Sequence, residues 1–292
     1  MRKKDLSIII LNYNGRFWLK NTLKSLKEYY LDKTKYQVEV LVVDNASSDD
    51  STTMIKRSFR WIDLIELKEN IGFAAGNNVA IKNSKSKYVM LLNSDTEFTL
   101  ESNLDQLIDL MEERKDIAVI SPKLALANGK LDPACHRGEP TLWASLTYFS
   151  GLEAFFPKVK TFSQYHQLYK DINTIHEIDA CSGAAMIVRN SSIKKIGLLD
   201  ERFFMYAEDL DWCKRFKDAN LKIVYFPLVS ILHHKYKSGI KSNTKVQRSK
   251  TRGHFYDTML EFYNKHYAKN HPRFLRFLVE TFIKIKKSHA ES

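Results

Sequence analysis

The chain has 292 residues, 44% of them hydrophobic, with only 10 Gly and 6 Pro, which excludes a disordered or low-complexity protein. Its net charge of +12 is concentrated at one end, because residues 233–292 carry 14 Lys and Arg against 4 Asp and Glu. The cysteines Cys135, Cys181 and Cys213 form no CxxC pair, so neither a disulfide framework nor a zinc site is indicated.

The N-terminal half alternates apolar runs with segments of helical spacing. Residues 6–11 (LSIIIL) are continuously apolar, which is typical of a strand buried on both faces. By the same criteria, strands are predicted at residues 38–43, 62–67, 87–92 and 117–121, and helices at 17–29, 51–59, 72–83 and 104–114. This β-α-β alternation predicts an α/β fold with a Rossmann-like, mostly parallel central sheet flanked by helices.

The N-terminus, MRKKDLSIIILNYNG, is charged and then apolar, as in a signal peptide. Its apolar core of about five residues is shorter than the roughly 7–15 that a signal peptide needs. No apolar run reaches the length of a transmembrane helix. We therefore predict a cytoplasmic protein and leave open a peripheral contact with the inner face of the cell membrane.

The pattern changes after Pro122, because residues 128–178 are irregular and aromatic. Further strands are predicted at residues 184–188 and 222–226, and further helices at 209–219, 256–265 and 274–287. No linker or internal repeat is visible. The simplest organisation is one domain over residues 1–255, followed by a basic amphipathic helical tail over residues 256–292.

Polar residues stand at the ends of three predicted strands. They are Asn12, Tyr13 and Asn14 after the first strand, Asp44 after the second, and Asn93, Ser94 and Asp95 after the fourth. Turn chemistry explains any one of these clusters, because Asn, Asp and Ser dominate turns. Ligands bind at the carboxyl ends of parallel strands, so three such clusters on one edge favour a binding site.

Three further features carry weaker signals. The loop NIGFAAGNN is neither a GxGxxG nor a Walker motif, although its glycines allow the backbone to approach a ligand closely. Helix capping is a strong explanation for one or two of the acids Glu208, Asp209 and Asp211, but not for all three, and a cation or a general-base role would also use such packed charge. His233 and His234 suit a divalent transition ion, although a histidine is more often structural.

Together these stretches resemble the family 2 inverting glycosyltransferases, which have the GT-A fold, and within them the bacterial rhamnosyltransferase branch. The matching stretches, in order, are SIIILNYNG, VLVVDNASSDDS, NIGFAAGNN, VMLLNSDTEF, CSGAAMIVR, IGLLDERFFMYAEDLDWCKR and ILHH. Each is weak alone, whereas their common order over about residues 5–260 is specific.

The resemblance implies a nucleotide-sugar site. The residues expected at the donor nucleotide are Asn12, Tyr13, Asn14, Asp44, Asn70, Gly72, Asn78, Asn93 and Ser94. Gly183, Glu208 and Trp212 are expected beside the donor sugar or the acceptor. Asp209, the second residue of the Glu-Asp pair, matches the catalytic base that takes the proton of the acceptor hydroxyl.

The resemblance also implies a divalent metal ion, Mn²⁺ or Mg²⁺, at the donor diphosphate. Asp95 matches the last acid of the DxD metal motif, and Asn93 stands where the first acid would be. One of His233 and His234 matches a metal-ligand histidine, and we favour His233. A histidine ligand favours Mn²⁺, whereas phosphate oxygens also admit Mg²⁺.

The implied activity is inverting, metal-dependent transfer of a sugar to a glycan or lipid-linked acceptor in bacterial surface polysaccharide synthesis. The expected donor is dTDP-rhamnose, with a UDP-sugar as the alternative. Two alternatives are less favoured. A nucleotidyltransferase would carry a Gly-rich loop with Arg directly after the first strand, and NYNGRFW does not supply that pattern. A non-catalytic binding protein would not need both Asp95 and Asp209. No nucleic-acid reader motif accompanies the positive charge, so nucleic acid is not an expected partner.

In the tail, Phe274, Leu278 and Phe282 fall on one helical face, with Lys and Arg on either side. Such a face predicts a surface helix at an anionic bilayer. Packing on the domain or a homodimer contact explains the same face equally well.

Overall fold

The structure is a computed structural model that describes residues 4–235 and 245–291. Its strands are β1 (Leu6–Asn12), β2 (Val38–Asp44), β3 (Asp63–Glu66), β4 (Tyr88–Asn93), β5 (Thr96–Glu97), β6 (Ile117–Leu126), β7 (His176–Ile178), β8 (Ala185–Arg189) and β9 (Lys222–His233). Its helices are α1 (Arg16–Leu26), α2 (Ser51–Ser58), α3 (Phe73–Asn83), α4 (Asp105–Glu113), α5 (Leu142–Phe149), α6 (Leu152–Phe155), α7 (Asn190–Ile196), α8 (Glu208–Asp218), α9 (Lys245–His266) and α10 (Arg273–Glu291).

The strands form one sheet in the order β3-β2-β1-β4-β8-β6-β9-β5, with β7 also paired to β9. The first four strands in this order are parallel, as are β6 and β9. β8 runs antiparallel between β4 and β6, and β5 and β7 run antiparallel to β9. The predicted α/β fold with a helix-flanked central sheet is confirmed, and the antiparallel strands all lie beyond β4.

Apolar strands build the centre of the sheet. The side chains of Ile8, Ile9 and Ile10 in β1 are fully buried, as expected for a strand covered on both faces. Asn12 pairs with Asp44 in the β1–β2 register, and Leu11 pairs with Asn93 in the β1–β4 register. The polar ends of three parallel strands therefore meet at one edge of the sheet.

Several elements differ from the prediction, among them α7 and β5, which no sequence pattern indicated. β9 continues seven residues beyond the predicted strand 222–226, through a shift in its register with β6 at Pro122. Within the stretch predicted as irregular lie α5, α6 and β7. These elements are short, and isolated short helices are marginal in water, so tertiary packing rather than local periodicity determines them.

The C-terminal helices are tied to the rest of the chain. Asp211 on α8 is fully buried and forms an ion pair with Lys265 of α9. It also contacts His266 of α9, because His266 Nε2 lies 2.7 Å from Asp211 Oδ1. α9 runs across the predicted domain boundary at 255, and that division stays a prediction. Residues 1–3, 236–244 and 292 of the two predicted units lie outside the described residues. In the described part of the chain, no helix is both long enough and apolar enough to cross a bilayer.

Candidate functional site

Asn12 and Asp44 lie side by side at the carboxyl ends of β1 and β2. Both are buried, and Asn12 Nδ2 donates to Asp44 Oδ1 at 2.9 Å and to Ser47 Oγ at 3.1 Å. The second carboxylate oxygen of Asp44 accepts from the backbone N–H of Ser47 at 2.9 Å. The loop after β2 therefore fixes this pair, which the sequence placed on one edge.

The turn after β1 is held by the same loop. Asn14 adopts the left-handed conformation (φ 51°), and its Oδ1 accepts from the backbone N–H of Ser48 at 2.7 Å. Asn is one of the few side chains that tolerate this conformation. Tyr13, directly before it, is 37% exposed, so its ring is accessible to a planar base.

Asn70 and Gly72 belong to a loop that Asn45 organises. Asn45 Nδ2 donates to Asn70 Oδ1 at 2.8 Å, and the backbone N–H of Gly72 donates to the same oxygen at 3.0 Å. Gly72 has φ +89°, and an added Cβ would lie 2.6 Å from the carbonyl oxygen of Phe204. Glycine is required here by the backbone conformation and by the close approach of the Phe204 loop.

Two predicted contact residues, Asn78 and Trp212, use their polar atoms inside the protein. The amide of Asn78 is used inside the protein, where it donates to Leu199 O and to Glu201 Oε1 at 2.9 Å each. Trp212 is fully buried in the core, and its indole N–H donates to Gly197 O at 2.9 Å. These hydrogen bonds hold the segment before α8 against the rest of the protein, because both side chains point inward from their helices.

Asp95 and His233 face one another at the end of β4. Asp95 is 1% exposed, and its Oδ1 lies 3.5 Å from Nε2 of His233. The Nδ2 of Asn93 lies 3.5 Å from the same imidazole nitrogen. Ser94, between them, is buried, and its carbonyl oxygen accepts from the hydroxyl of Thr22 at 2.9 Å. A carboxylate and an imidazole nitrogen thus point at one place.

His234 lies on the other side of the strand. Successive side chains of a strand point to opposite faces, so only one of the two histidines can face Asp95. His234 Nε2 lies 2.7 Å from Glu97 Oε2, and its ring packs 4.6 Å from that of Trp18. Of the two candidate ligands, the imidazole of His233 faces the Asp95 carboxylate, whereas that of His234 faces Glu97.

A second carboxylate orients His233. Its Nδ1 lies 2.8 Å from Oδ2 of the fully buried Asp132, and Lys235 Nζ lies 2.8 Å from the other oxygen. Burial raises the pKa of Asp132, but the hydrogen bonds from His233 and Lys235 outweigh it and lower that pKa well below its usual range. Burial lowers the pKa of His233, but its hydrogen bonds to Asp132 and Asp95 outweigh burial and raise that pKa. Asp132 accepts the Nδ1 proton, so a metal ion would bind at Nε2 in exchange for the second proton.

The donor set suits a divalent cation that also binds a phosphorylated ligand. Two ligands bound to one ion at about 2.1 Å lie about 3 Å apart when adjacent, close to the 3.5 Å between Asp95 and His233. In residues 4–235 and 245–291, no group of three or more His, Cys, Asp or Glu side chains could hold a metal ion. The protein would therefore supply two ligands, and phosphate oxygens and water would supply the others.

Asp209, the second residue of α8, forms a buried ion pair. Its Oδ2 accepts from Arg137 Nη2 at 2.7 Å and from the backbone N–H of Gly183 at 3.4 Å. Its Oδ1 accepts from the backbone N–H of Leu210 at 2.7 Å. The side chains of Arg137 and Asp209 are only 11% and 12% exposed. These contacts hold Asp209 as an oriented carboxylate at the positive end of the helix dipole.

Glu208 has the opposite environment. It is 6% exposed, and its Oε2 has no hydrogen-bond partner among the described residues. Burial, and then the adjacent Asp209 carboxylate, raise the pKa of Glu208 to about 8. Arg137 therefore compensates the charge of Asp209 in an ion pair, whereas the raised pKa of Glu208 favours its protonated form.

The segment Gly183-Ala184 connects the two halves of this edge. The backbone N–H of Asn93 donates to Ala184 O at 2.9 Å, while the N–H of Gly183 donates to Asp209. The carboxylate end of β4 and the start of α8 are therefore neighbours in space, although more than a hundred residues separate them in sequence.

Sequence reasoning missed Asn45, Asp132 and Arg137. The last two lie in LDPACHRG, where the only local signal is several polar side chains without periodicity. Their partners are His233 and Asp209, which follow them by 101 and 72 residues. Asn45 directly follows Asp44 and reads as an ordinary turn residue.

The Asp95–His233 pair and the oriented Asp209 carboxylate lie at one edge of the central sheet of an α/β protein, as expected for the GT-A class that the sequence resembles. The chain is a member of glycosyltransferase family 2, since the family described as "Glycosyl transferase family 2" matches residues 7–197. The family predicted from the sequence is confirmed, and the chain is a glycosyltransferase.

Two curated relatives cover most of the chain. The low-salt glycan biosynthesis hexosyltransferase Agl10 of Haloferax volcanii is 28% identical over 272 residues, covering 91% of this chain and 76% of its own length. The N-acetylglucosaminyl-diphospho-decaprenol L-rhamnosyltransferase of Mycobacterium tuberculosis is 24% identical over 241 residues, which cover 79% of this chain and 76% of the relative's own length. The second relative agrees with the predicted rhamnosyltransferase-like branch.

Solved structures share the fold. The mannosyltransferase PcManGT from Pyrobaculum calidifontis, in complex with GDP-Man and Mn²⁺, matches with a TM-score of 0.59 at 14% identity, covering 100% of this chain and 73% of its own. TarS 1–349 of S. aureus in complex with UDP matches with a TM-score of 0.54 at 18% identity, covering 88% of this chain. This chain spans 65% of that TarS chain. The predicted GT-A fold is confirmed.

Proposed function

We propose that the chain transfers rhamnose from dTDP-rhamnose, with inversion, to a lipid-linked glycan in bacterial surface polysaccharide synthesis. One observation carries the proposal. The segment Gly183-Ala184 bonds to Asn93 beside the Asp95–His233 pair and also to Asp209. A diphosphate-binding end and a proton acceptor thus adjoin the same short backbone segment, as a group transfer between two substrates requires.

The reaction needs a base and a stabilised leaving group. The acceptor hydroxyl attacks the anomeric carbon, its proton passes to the Asp209 carboxylate, and the bond from that carbon to the diphosphate oxygen breaks. Attack opposite the leaving group inverts the anomeric configuration. Asp95 and His233 would hold Mn²⁺ or Mg²⁺, which as a Lewis acid neutralises charge on the departing diphosphate.

Asn12, Tyr13, Asn14, Asp44 and Asn70 are proposed to surround the donor nucleotide. The exposed ring of Tyr13 and the buried amide of Asn12 give this pocket one stacking surface and one polar wall. A relative named as an L-rhamnosyltransferase supports rhamnose as the sugar. A UDP-sugar is the second candidate, because the TarS structure with the same fold contains UDP.

The acceptor is proposed to sit on a polyprenyl diphosphate, by analogy with the decaprenol-linked acceptor in the name of the mycobacterial relative. Such an acceptor would bring the enzyme to the inner face of the cell membrane, with a peripheral contact through the C-terminal tail.

The test is a matrix of donors and metal ions. dTDP-rhamnose and UDP-sugars are each incubated with Mn²⁺ or Mg²⁺ and an N-acetylglucosaminyl-diphospho-lipid. We expect dTDP release that depends on the acceptor, and a product whose anomeric configuration, read by NMR, is opposite to that of the donor. Retention of configuration would reject the mechanism, and release from UDP-sugars alone would reject the donor.

A further inference from the structure

Helix α10 has two apolar stripes. The first consists of Leu275, Val279 and Ile283, which repeat every four residues and are half-buried or buried, with Ile283 only 5% exposed. α10 packs against α9 along its length, and Lys287 forms an ion pair with Asp257 of α9 at 2.7 Å. The helix is therefore already docked on the protein through one face.

The second stripe remains in solvent. Its members are Phe274, Phe277, Leu278, Phe282 and Ile285, with exposures of 67%, 68%, 55%, 43% and 52%. Their spacing puts them on one side of the helix, turned away from the docked stripe. Contiguous apolar surface of this kind marks an interaction site, because burial of such side chains is favourable.

The exposed stripe continues onto α5 and α6, more than a hundred residues earlier in the chain. The rings of Phe149 and Phe282 lie 6.0 Å apart at an angle of 66°. Beside Phe149, the exposed apolar side chains are Trp143, Leu146, Tyr148, Phe155 and Phe156, with exposures of 42%, 56%, 42%, 79% and 48%. We call the exposed stripe and these five residues the aromatic face.

The border of the aromatic face is basic. Arg273 and Lys284 on α10 and Lys158 and Lys160 after α6 are exposed, and Lys286 Nζ lies 5.6 Å from the ring centre of Phe282. Residues 233–292 carry an excess charge of +10. A second copy docked here by two-fold symmetry would oppose one basic border to another, which is unfavourable. An anionic bilayer complements both the charge and the apolar centre.

We propose that the aromatic face, built from α5, α6 and α10 together, docks the protein on a membrane that contains anionic lipid. This proposal rests on the proposed function only for its purpose, delivery of a lipid-linked acceptor. Arg137, which contacts Asp209, precedes Gly138, whose N–H donates to Tyr165 O at 2.7 Å. The ring of Tyr165 packs 5.0 Å from Tyr148, so the face adjoins the catalytic side.

Vesicle flotation of the full chain tests the proposal. We expect binding to vesicles of phosphatidylcholine with phosphatidylglycerol, and little binding to phosphatidylcholine alone. The variants Phe277→Ser/Leu278→Ser on α10 and Phe155→Ser on α6 should each reduce the bound-to-free ratio by about tenfold or more. The matched control is Leu100→Ser, at a residue that is 83% exposed and outside the face.

Two outcomes would overturn the proposal. The first is a loss only in the α10 variant, which would return membrane binding to the tail alone. The second is no flotation of the wild type together with a dimer in light scattering that Phe277→Ser/Leu278→Ser dissociates, which would assign the face to a second copy. Transfer to a detergent-solubilised acceptor should be unchanged in all three variants, so failure of this face is distinguishable from failure of the proposed activity.

Discussion

The guanidinium of Arg137 lies 2.7 Å from the carboxylate of Asp209, with both side chains almost nine-tenths buried. Glu208, the residue before Asp209, is buried in the same region, and among the described residues its carboxyl group forms no ion pair. The two adjacent carboxyl groups therefore have different electrostatic environments, an arrangement that divides acid and base roles in many active sites.

Replacement of Asp209 tests the base. Asp209→Asn should reduce the transfer rate by about 10²–10⁴-fold, because the acceptor proton loses its acceptor. Donor binding, measured by calorimetry, should remain. Asp218→Asn, near the exposed end of the same helix, is the control and should behave as the wild type. Transfer by Asp209→Asn at near wild-type rate would show that another residue takes the proton.

Replacement of Arg137 tests the ion pair. Arg137→Met leaves Asp209 as a buried, unpaired charge and should lower the free energy of unfolding by about 3–5 kcal/mol. Arg137→Lys keeps a cation and should lose less. The double variant Arg137→Met/Asp209→Asn should be more stable than Arg137→Met alone in urea titrations, because the uncompensated charge is gone. Additive losses in the double variant would mean that the pair is not coupled.

Glu208 makes stability depend on pH. Its pKa is about 8 in the folded protein against an ordinary 4.5, so the folded state keeps a proton that the unfolded chain loses. Folding is therefore weakened as the pH rises from about 4.5 to 8, by up to about 1.4 kcal/mol per unit. Glu208→Gln should be more stable than the wild type at about pH 8, by an amount that shrinks towards about pH 4. A difference that stays constant with pH would contradict this environment for Glu208.

Asp132, His233 and His234 should affect metal binding unequally. His233→Gln should abolish Mn²⁺ binding in the presence of dTDP, followed by electron paramagnetic resonance. Asp132→Asn should weaken it by about 10–100-fold, because His233 loses the carboxylate that fixes its tautomer. His234→Gln, the control, should bind Mn²⁺ as the wild type does. Equal losses in the two histidine variants would reject the assignment to His233.

The meeting of the polar strand ends at one edge of the sheet could be predicted from the sequence, because its signals are local. Asn12, Asp44 and Asp95 each end or follow an apolar strand, and parallel strands end on one edge, so their proximity follows from the fold class alone. The choice between His233 and His234 is harder. It depends on counting alternation along β9, and the register of that strand with β6 shifts near Phe226. A shift of one residue exchanges the two faces of a strand.

Arg137 and Asp132 could not be predicted for a different reason. Arg137 and Asp132 act through partners 72 and 101 residues away, Asp209 and His233. No local pattern in LDPACHRG indicates such tertiary contacts. The same holds for the aromatic face, whose two halves meet at the contact between Phe149 and Phe282.

The contacts of the buried Asp211 determine where the protein can be truncated. Arg215 shares its helix, whereas Lys265 and His266 reach it from α9. A truncated protein ending at residue 255 would leave Asp211 buried with Arg215 as its remaining partner of these three. We expect α8, the helix that carries Asp209, to be destabilised in such a protein. A truncated protein should therefore extend beyond His266.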